Sequence, residues 1–393
     1  MKFLHTADLH LGRTLHERSL LEDQRLMLDL LIDELGKDDY AALLIAGDVY
    51  DRSIPSPDAV ELLGSFLAKV RRRFPDLAVI IGCGNHDSPE RLGYGDKLFS
   101  SLGIHIISDP EHSFEPIIVE KNGERSAIFV LPFLTPGSLR DAEADKEEGG
   151  RPLRSQKELA LAAAARLEIA RTRAIAEGAL STILVAHLFA AGGRESESER
   201  SFLGTAERVD AELFKSFDYV ALGHLHRFQK AGKSTYYSGS PLAYSFDEAD
   251  HQKCLVAVDV RPNTVVEISR IPTRPTRRVT RLSGTFDSFM AVNAYLKEKE
   301  DYLEIALTDG QLVENPLALL RTRYPNLLSV RQDTALAAVG ALELDGRASV
   351  QANRGRNVAD DFSEFLSALY GQSDEKKMDL FKKIAAEVDD ATT

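Results

Sequence analysis

Residues 77–90 read LAVIIGCGNHDSPE. The first five form a short aliphatic, β-branched run of strand length. The chain leaves that run on a glycine-flanked turn carrying Asn85, His86 and Asp87. Gly and Asn tolerate left-handed backbone, so ordinary turn chemistry accounts for such residues after a single strand. It does not account for the same ending elsewhere in the chain. KFLHTAD ends at Asp8 with His10 following, ALLIAGD at Asp48 with Asp51 following, STILVAH at His187, and FDYVALGHLH supplies His224 and His226. Two histidines two residues apart on an extended segment point to one side. His5 lies within the first run, opposite Asp8 by alternation, and reads as packing or support for the site. His16, His105, His112 and His251 have no strand-end context and are assigned no role.

Segments with helical periodicity separate these runs. Residues 18–36 place Leu20, Leu21, Leu28, Leu31, Ile32 and Leu35 on one stripe, and 57–70 and 155–177 behave similarly. Strands alternating with helices predict an α/β architecture with a largely parallel sheet, and a hairpin-like region at 104–132 predicts antiparallel strands too. In such sheets function collects beyond the carboxyl ends of the strands, where all of these polar endings fall.

A chain of 393 residues is expected to divide into two or three domains. With 44% hydrophobic and 28% charged residues, its composition is that of a soluble globular protein. No apolar run approaches the ~18 residues of a membrane span. The opening MKFLHTADLHLG lacks the unbroken apolar stretch of a signal peptide, so a cytoplasmic location is expected. Cys83 and Cys254 lie far apart and form no metal-type pair. The formal net charge of −13 gives no global basic footprint for nucleic acid. Charge is local, however: Arg270, Arg274, Arg277, Arg278 and Arg281 cluster within a short stretch.

The candidate metal ligands are Asp8, His10, Asp48, Asn85, His187, His224 and His226. Carboxylates, imidazoles and a carboxamide without thiolate suit Mn²⁺, Fe²⁺ or Zn²⁺. Seven are too many for one ion that keeps positions open for substrate, so two ions sharing Asp48 as a bridge are expected. A pair of ions can activate a water and bind phosphoryl oxygens, which points to phosphoester hydrolysis. His86 diverges from its neighbour Asn85 and reads as the catalytic group that protonates the leaving oxygen or stabilises charge there. Asp87 is expected to orient the turn or His86.

Asp8-x-His10, Gly47-Asp48-x-x-Asp51, Gly84-Asn85-His86-Asp87, His187 and Gly223-His224-x-His226 resemble the ordered motifs of calcineurin-like metallophosphoesterases. The resemblance implies a β-sandwich with flanking helices. It assigns Asp8, His10, Asp48 and His226 to one metal, Asp48, Asn85, His187 and His224 to the other, and the catalytic role to His86. Where some members carry a histidine three residues after the bridging Asp, this chain has Asp51, placed with Arg52 beside the ligands or substrate. Asp51-Arg52 is also similar to the GDxxDRG of protein phosphatases, but Ser53 replaces the final glycine and GNHD their GNHE.

Within that superfamily FLHTADLHLGR, residues 192–229 and YYSGSPLAYSFDE resemble the SbcD-type nuclease subunits, which process DNA ends with the ATPase SbcC in repair and recombination. The resemblance implies double-strand exonuclease and single-strand or hairpin endonuclease activity, two Mn²⁺ ions and a homodimer. It gives residues 1–275 as the nuclease domain and 276–332 as a small α+β unit that caps DNA. Arg274, Arg277 and Arg278 are candidate DNA contacts. Residues 333–357 read as a linker. Residues 358–393 carry two short amphipathic helices, with Phe362, Phe365, Leu366 and Leu369 on one stripe and Leu380, Phe381 and Ile384 on the other. The resemblance makes these the anchor for SbcC. The alternative is a metallophosphoesterase acting on phosphoproteins or small phosphodiesters.

Overall fold

The computed structural model describes residues 1–141, 151–190, 208–261, 267–291, 294–332, 362 and 377–382. In chain order the first part runs β1 (Lys2–Thr6), α1 (Leu21–Leu35), β2 (Tyr40–Ala46), α2 (Pro57–Arg73), β3 (Ala78–Gly82) and β4 (Ile104–Ile107). It continues β5 (Ile117–Lys121), β6 (Glu124–Leu131), α3 (Gln156–Ala176), β7 (Ser181–His187) and β8 (Tyr219–Gly223). The strands β9 (Gln229–Lys230), β10 (Thr235–Tyr237), β11 (Cys254–Asp259) and β12 (Glu267–Pro272) complete this part.

These strands form two six-stranded sheets, the β-sandwich with flanking helices that the family resemblance implies and not the single sheet that alternation suggests. One has the order β12-β11-β1-β2-β3-β4, the other β9-β10-β8-β7-β6-β5. The ladders β1-β2-β3-β4 and β6-β7-β8-β10 are parallel, with antiparallel strands at the margins. The 104–132 region divides between the sheets: β4 joins the first, and only β5 and β6 pair as a hairpin in the second. An apolar alternation states which residues are buried but not in which sheet a strand finds its partners.

Packing explains why the strands read as continuous apolar runs. In β2, Leu43 and Ile45 face α1 and α2, while Ala42, Leu44 and Ala46 face the other sheet with Val130, Ile183 and Val185. A strand covered on both faces has no polar side to display. On the far side of the second sheet α3 buries Leu159, Ala163, Leu167, Ala170 and Ala174 at helical spacing. Local signals agree with these elements. Ser56 caps α2 ahead of Pro57, and a reciprocal capping box of Ser155 and Glu158 starts α3.

Further along come β13 (Val279–Gly284), α4 (Phe286–Met290), β14 (Tyr302–Leu307), α5 (Pro316–Arg321) and β15 (Leu327–Gln332). They make a three-stranded sheet, order β13-β14-β15, with its own core of Phe289, Leu303, Ile305, Leu320, Tyr324 and Leu327. The stretch FDSFMAVNAYLKEK at 286–299 reads as one helix by its sequence, but α4 ends at Met290. The backbone turns extended at Ala291, and Tyr295 stacks on Phe289 with ring centroids 4.9 Å apart. Residues 1–307 and 313–331 form one compact unit, and residues 308–312 and 332–393 belong to a second. The expected linker at 333–357, and Phe365, Leu366, Leu369 and Ile384, lie outside the described residues. Of the expected C-terminal stripes, Phe362 and Phe381 stack with centroids 4.1 Å apart, and Leu380 is exposed. No helix among the described residues is long and apolar enough to cross a membrane.

Candidate metal centre

The first loop after each of β1, β2, β3, β7 and β8 meets the others at the carboxyl edge of the two sheets. Backbone bonds zip the first two together: Asp8 N–H donates to Gly47 C=O at 3.0 Å and His10 N–H to Asp48 C=O at 2.9 Å. Gln24 on α1 steadies the first loop, donating to the carbonyl of His10 at 2.7 Å and accepting from Gly12 N–H at 2.9 Å. Asp8, His10, Asp48 and His224 all adopt positive φ (54°, 43°, 49° and 105°). Left-handed backbone costs a non-glycine residue about 1–3 kcal/mol and is held only where surrounding bonds over-determine it.

The β3 loop reaches the cluster because Gly84 has no side chain. A Cβ there would lie 2.1 Å from Asp48 Oδ1 and 2.2 Å from Asp48 N. Sequence reasoning credits Gly84 with a tight turn, but its contribution is this close approach. Asp48 Oδ1 accepts from His86 N–H at 2.9 Å, and Asp8 Oδ1 accepts from His224 N–H at 2.9 Å. Asp87 accepts from the backbone N–H groups of Gly84, Val49 and Tyr50 at 2.9, 3.1 and 2.8 Å, so its carboxylate orients the turn. Burial and the charge of Asp48 push the Asp87 carboxyl up to about 7, against those three bonds.

All seven residues expected as ligands are brought together. His10 Nε2 faces His226 Nε2 at 3.1 Å. His187 Nε2 lies 2.9 Å from Asn85 Oδ1 and 3.3 Å from His224 Nδ1, which is itself 3.0 Å from Asn85 Oδ1. Asp48 Oδ2 sits between the groups, 3.5 Å from His187 Nε2 and 3.7 Å from His10 Nε2. Asp8, Asp48 and His187 bring their donor atoms within 4.8 Å of one another, and so do His10, Asp51 and His86.

These residues fit divalent metal. Donors that share one ion at about 2.1 Å lie about 3.0–3.4 Å apart, the spacing found among the facing imidazoles. Burial lowers the pKa of His10, His187 and His224, the last to about 3, so the rings are neutral and carry lone pairs. His187 Nδ1 donates to Ala46 C=O at 2.8 Å, which leaves Nε2 an acceptor facing the acceptor Asn85 Oδ1. A cation between two acceptors makes that contact favourable. Burial works against ionising Asp48, and the His86 N–H that donates to its Oδ1 at 2.9 Å works in favour of the carboxylate.

Around this cluster, His86 Nδ1 donates to the backbone carbonyl of Asp51 at 2.8 Å, and its ring packs edge-on to His10 at 4.7 Å. The Asp51 carboxylate pairs with Arg13 at 2.8 Å and lies 3.7 Å from His10 Nδ1. Arg52 is exposed, 3.5 Å from Asp51. His5 contacts the Tyr219 hydroxyl at 2.9 Å, between the sheets. Arg277 pairs with Asp23 at 3.4 Å and Arg278 with Asp301 at 3.2 Å, whereas Arg274 is exposed. Sequence reasoning missed Gln24, Glu248 and Lys253. Glu248 is fully buried and accepts from His226 Nδ1 at 3.0 Å, but it lies in a short helical turn, Phe246–Glu248, with no strand-end signature to mark it.

The family model for calcineurin-like phosphoesterases matches residues 1–228, and the chain belongs to that family. It is therefore a metal-dependent hydrolase. Its curated relatives include the SbcD subunit of the nuclease SbcCD from Staphylococcus epidermidis, 33% identical over 332 residues, which are 84% of this chain and 85% of that protein. The protein of the same name from Staphylococcus saprophyticus is also 33% identical, over 336 residues and 85% of each chain. Among solved structures, the calcineurin-like phosphoesterase YfkN of Bacillus subtilis is 14% identical, with a TM-score of 0.41 over 71% of this chain and 92% of that one.

Proposed function

We propose that the chain is the nuclease subunit of an SbcC–SbcD-type complex, cleaving DNA phosphodiesters in repair and recombination. The observation that carries this reading is the pair of ligand groups sharing Asp48 beside His86. Asp8, His10, Asp48 and His226 would hold one ion and Asp48, Asn85, His187 and His224 the other. Bound there, two divalent ions, Mn²⁺ in this proposal, would supply an activated water and charge neutralisation for the phosphate.

The remaining chemistry belongs to the side chains. With Nδ1 of His86 engaged by the Asp51 carbonyl, proton exchange with the leaving oxygen runs through Nε2. Asp87 fixes the turn that presents His86, and Asp51 with Arg13 sets the carbonyl that orients it. Of the candidate DNA contacts, Arg274 offers an exposed guanidinium. Arg277 and Arg278 reach phosphate only by sharing or leaving their carboxylate partners. The names of the relatives support partnership with SbcC, and homodimerisation and docking on the SbcC coiled coil through the C-terminal helices complete the proposal.

Duplex DNA, a phosphopeptide and a nitrophenyl diester assayed side by side with Mn²⁺ test it. DNA cleavage that dominates supports the nuclease reading, and phosphopeptide turnover without DNA cleavage overturns it. His86→Gln is expected to lower DNA cleavage about 10²–10⁴-fold, with Mn²⁺ content unchanged. A full rate in that variant removes His86 from the mechanism.

A further inference from the structure

The two ends of the metal centre are held by different chemistry. His187 is oriented by a neutral acceptor, the Ala46 carbonyl at 2.8 Å. His226 is oriented by a carboxylate, Glu248 Oε1 at 3.0 Å. Glu248 has no solvent exposure, and such a charge is tolerated only with a partner. Lys253 provides it, with Nζ 2.5 Å from Glu248 Oε2. The same ammonium donates to the backbone carbonyl of His226 at 2.8 Å and to Ser240 Oγ at 2.8 Å. Lys253 therefore grips both the carboxylate that holds the His226 ring and the main chain that carries it.

We infer that Glu248, anchored by Lys253, is a positioning residue: it fixes His226 and makes the Asp8–His10–Asp48–His226 end the tighter of the two cation sites. This rests on the metal-centre reading proposed above. Two physical terms favour it. A carboxylate accepting from Nδ1–H sets the tautomer, aims Nε2 at the site where it meets His10 Nε2 at 3.1 Å, and makes the ring a stronger donor. Charge acts the same way, because this end has Asp8 besides the shared Asp48, while Lys253 offsets the charge of Glu248. The other end adds only the neutral Asn85, His187 and His224. The opposite end is then the one that loads last and empties first.

Calorimetric titration of metal-stripped protein with Mn²⁺, with free Mn²⁺ followed by electron paramagnetic resonance, tests this directly. Wild type is expected to show two events of unequal affinity, and Asn85→Ala to weaken the weaker one. Glu248→Gln keeps an acceptor for Nδ1–H but removes the charge. It is expected to weaken the tighter event 10–100-fold and leave the other within threefold. Glu248→Asp is expected to recover part of the loss. Should Glu248→Gln fail to fold with Lys253 left without its counter-charge, Glu248→Gln/Lys253→Met removes both charges and is held to the same expectation. Unchanged affinities, or two events that weaken equally, overturn the inference while leaving the metal centre standing. A wild-type protein that binds no Mn²⁺ overturns the metal-centre reading itself, and the inference with it.

Discussion

Gly84→Ala adds a single methyl group at the point where the β3 loop meets the β2 loop. That carbon would lie 2.1 Å from Asp48 Oδ1 and 2.2 Å from Asp48 N, where ordinary contact begins at 3.4 Å. One loop must therefore retreat by about 1.3 Å, the shortfall at Oδ1. Neither atom is the free end of a flexible chain: one is main chain, and the other accepts from His86 N–H at 2.9 Å. Overpacking of this kind costs about 1–3 kcal/mol of stability. The larger effect falls on catalysis, because Asn85 and His86 move with the loop, and a displacement of about 1 Å costs about 10²-fold in rate. Cleavage of a duplex end at saturating Mn²⁺, with the thermal midpoint measured alongside, reads both. A variant that cuts within threefold of wild type at an unchanged midpoint would refute the close-approach argument.

Asp87→Ala strands three buried backbone N–H groups at about 1–3 kcal/mol each. Urea unfolding is expected to show a loss of at least about 3 kcal/mol, with Asp87→Asn losing less. Manganese should stabilise the fold: at a concentration of 100 times Kd each ion adds about 2.7 kcal/mol, so chelation lowers the melting midpoint and Asp48→Ala abolishes the response. In the three-stranded unit, burial works to raise the Glu304 pKa, but Arg331 and Arg281 outweigh it and leave the carboxyl below its ordinary 4.5. A depressed folded pKa contributes stability above the ordinary value and loses it as pH falls through the depressed one. The gap in urea midpoint between wild type and Glu304→Gln should therefore be widest at neutral pH and close under acid. A constant gap would contradict the ion-pair account.

The candidate site was more legible than its surroundings. Asp8, His10, Asp48, Asn85, His187, His224 and His226 each come within a few residues of the end of an apolar run, where a strand hands the chain over to an exposed turn. Glu248 and Lys253 carry no such mark: one ends a short helical turn, the other lies just before β11, and their value comes from meeting His226 across the fold. The arginines teach the converse. Their clustering in sequence suggests a basic surface, yet Arg277, Arg278 and Arg281 each face a carboxylate supplied by another segment.

What the sequence by itself determined is the set of elements and their polar ends, because hydrophobic period and turn chemistry are local properties carried by neighbouring residues. Tertiary structure decided which strands join which of the two sheets that the family resemblance implies, since an all-apolar strand is equally content beneath helices or against a second sheet. It also decided that a missing Cβ at Gly84 lets two loops close to contact, and that one imidazole is backed by a carbonyl and another by a carboxylate. Those are distances between residues tens to hundreds of positions apart, and no local pattern encodes them.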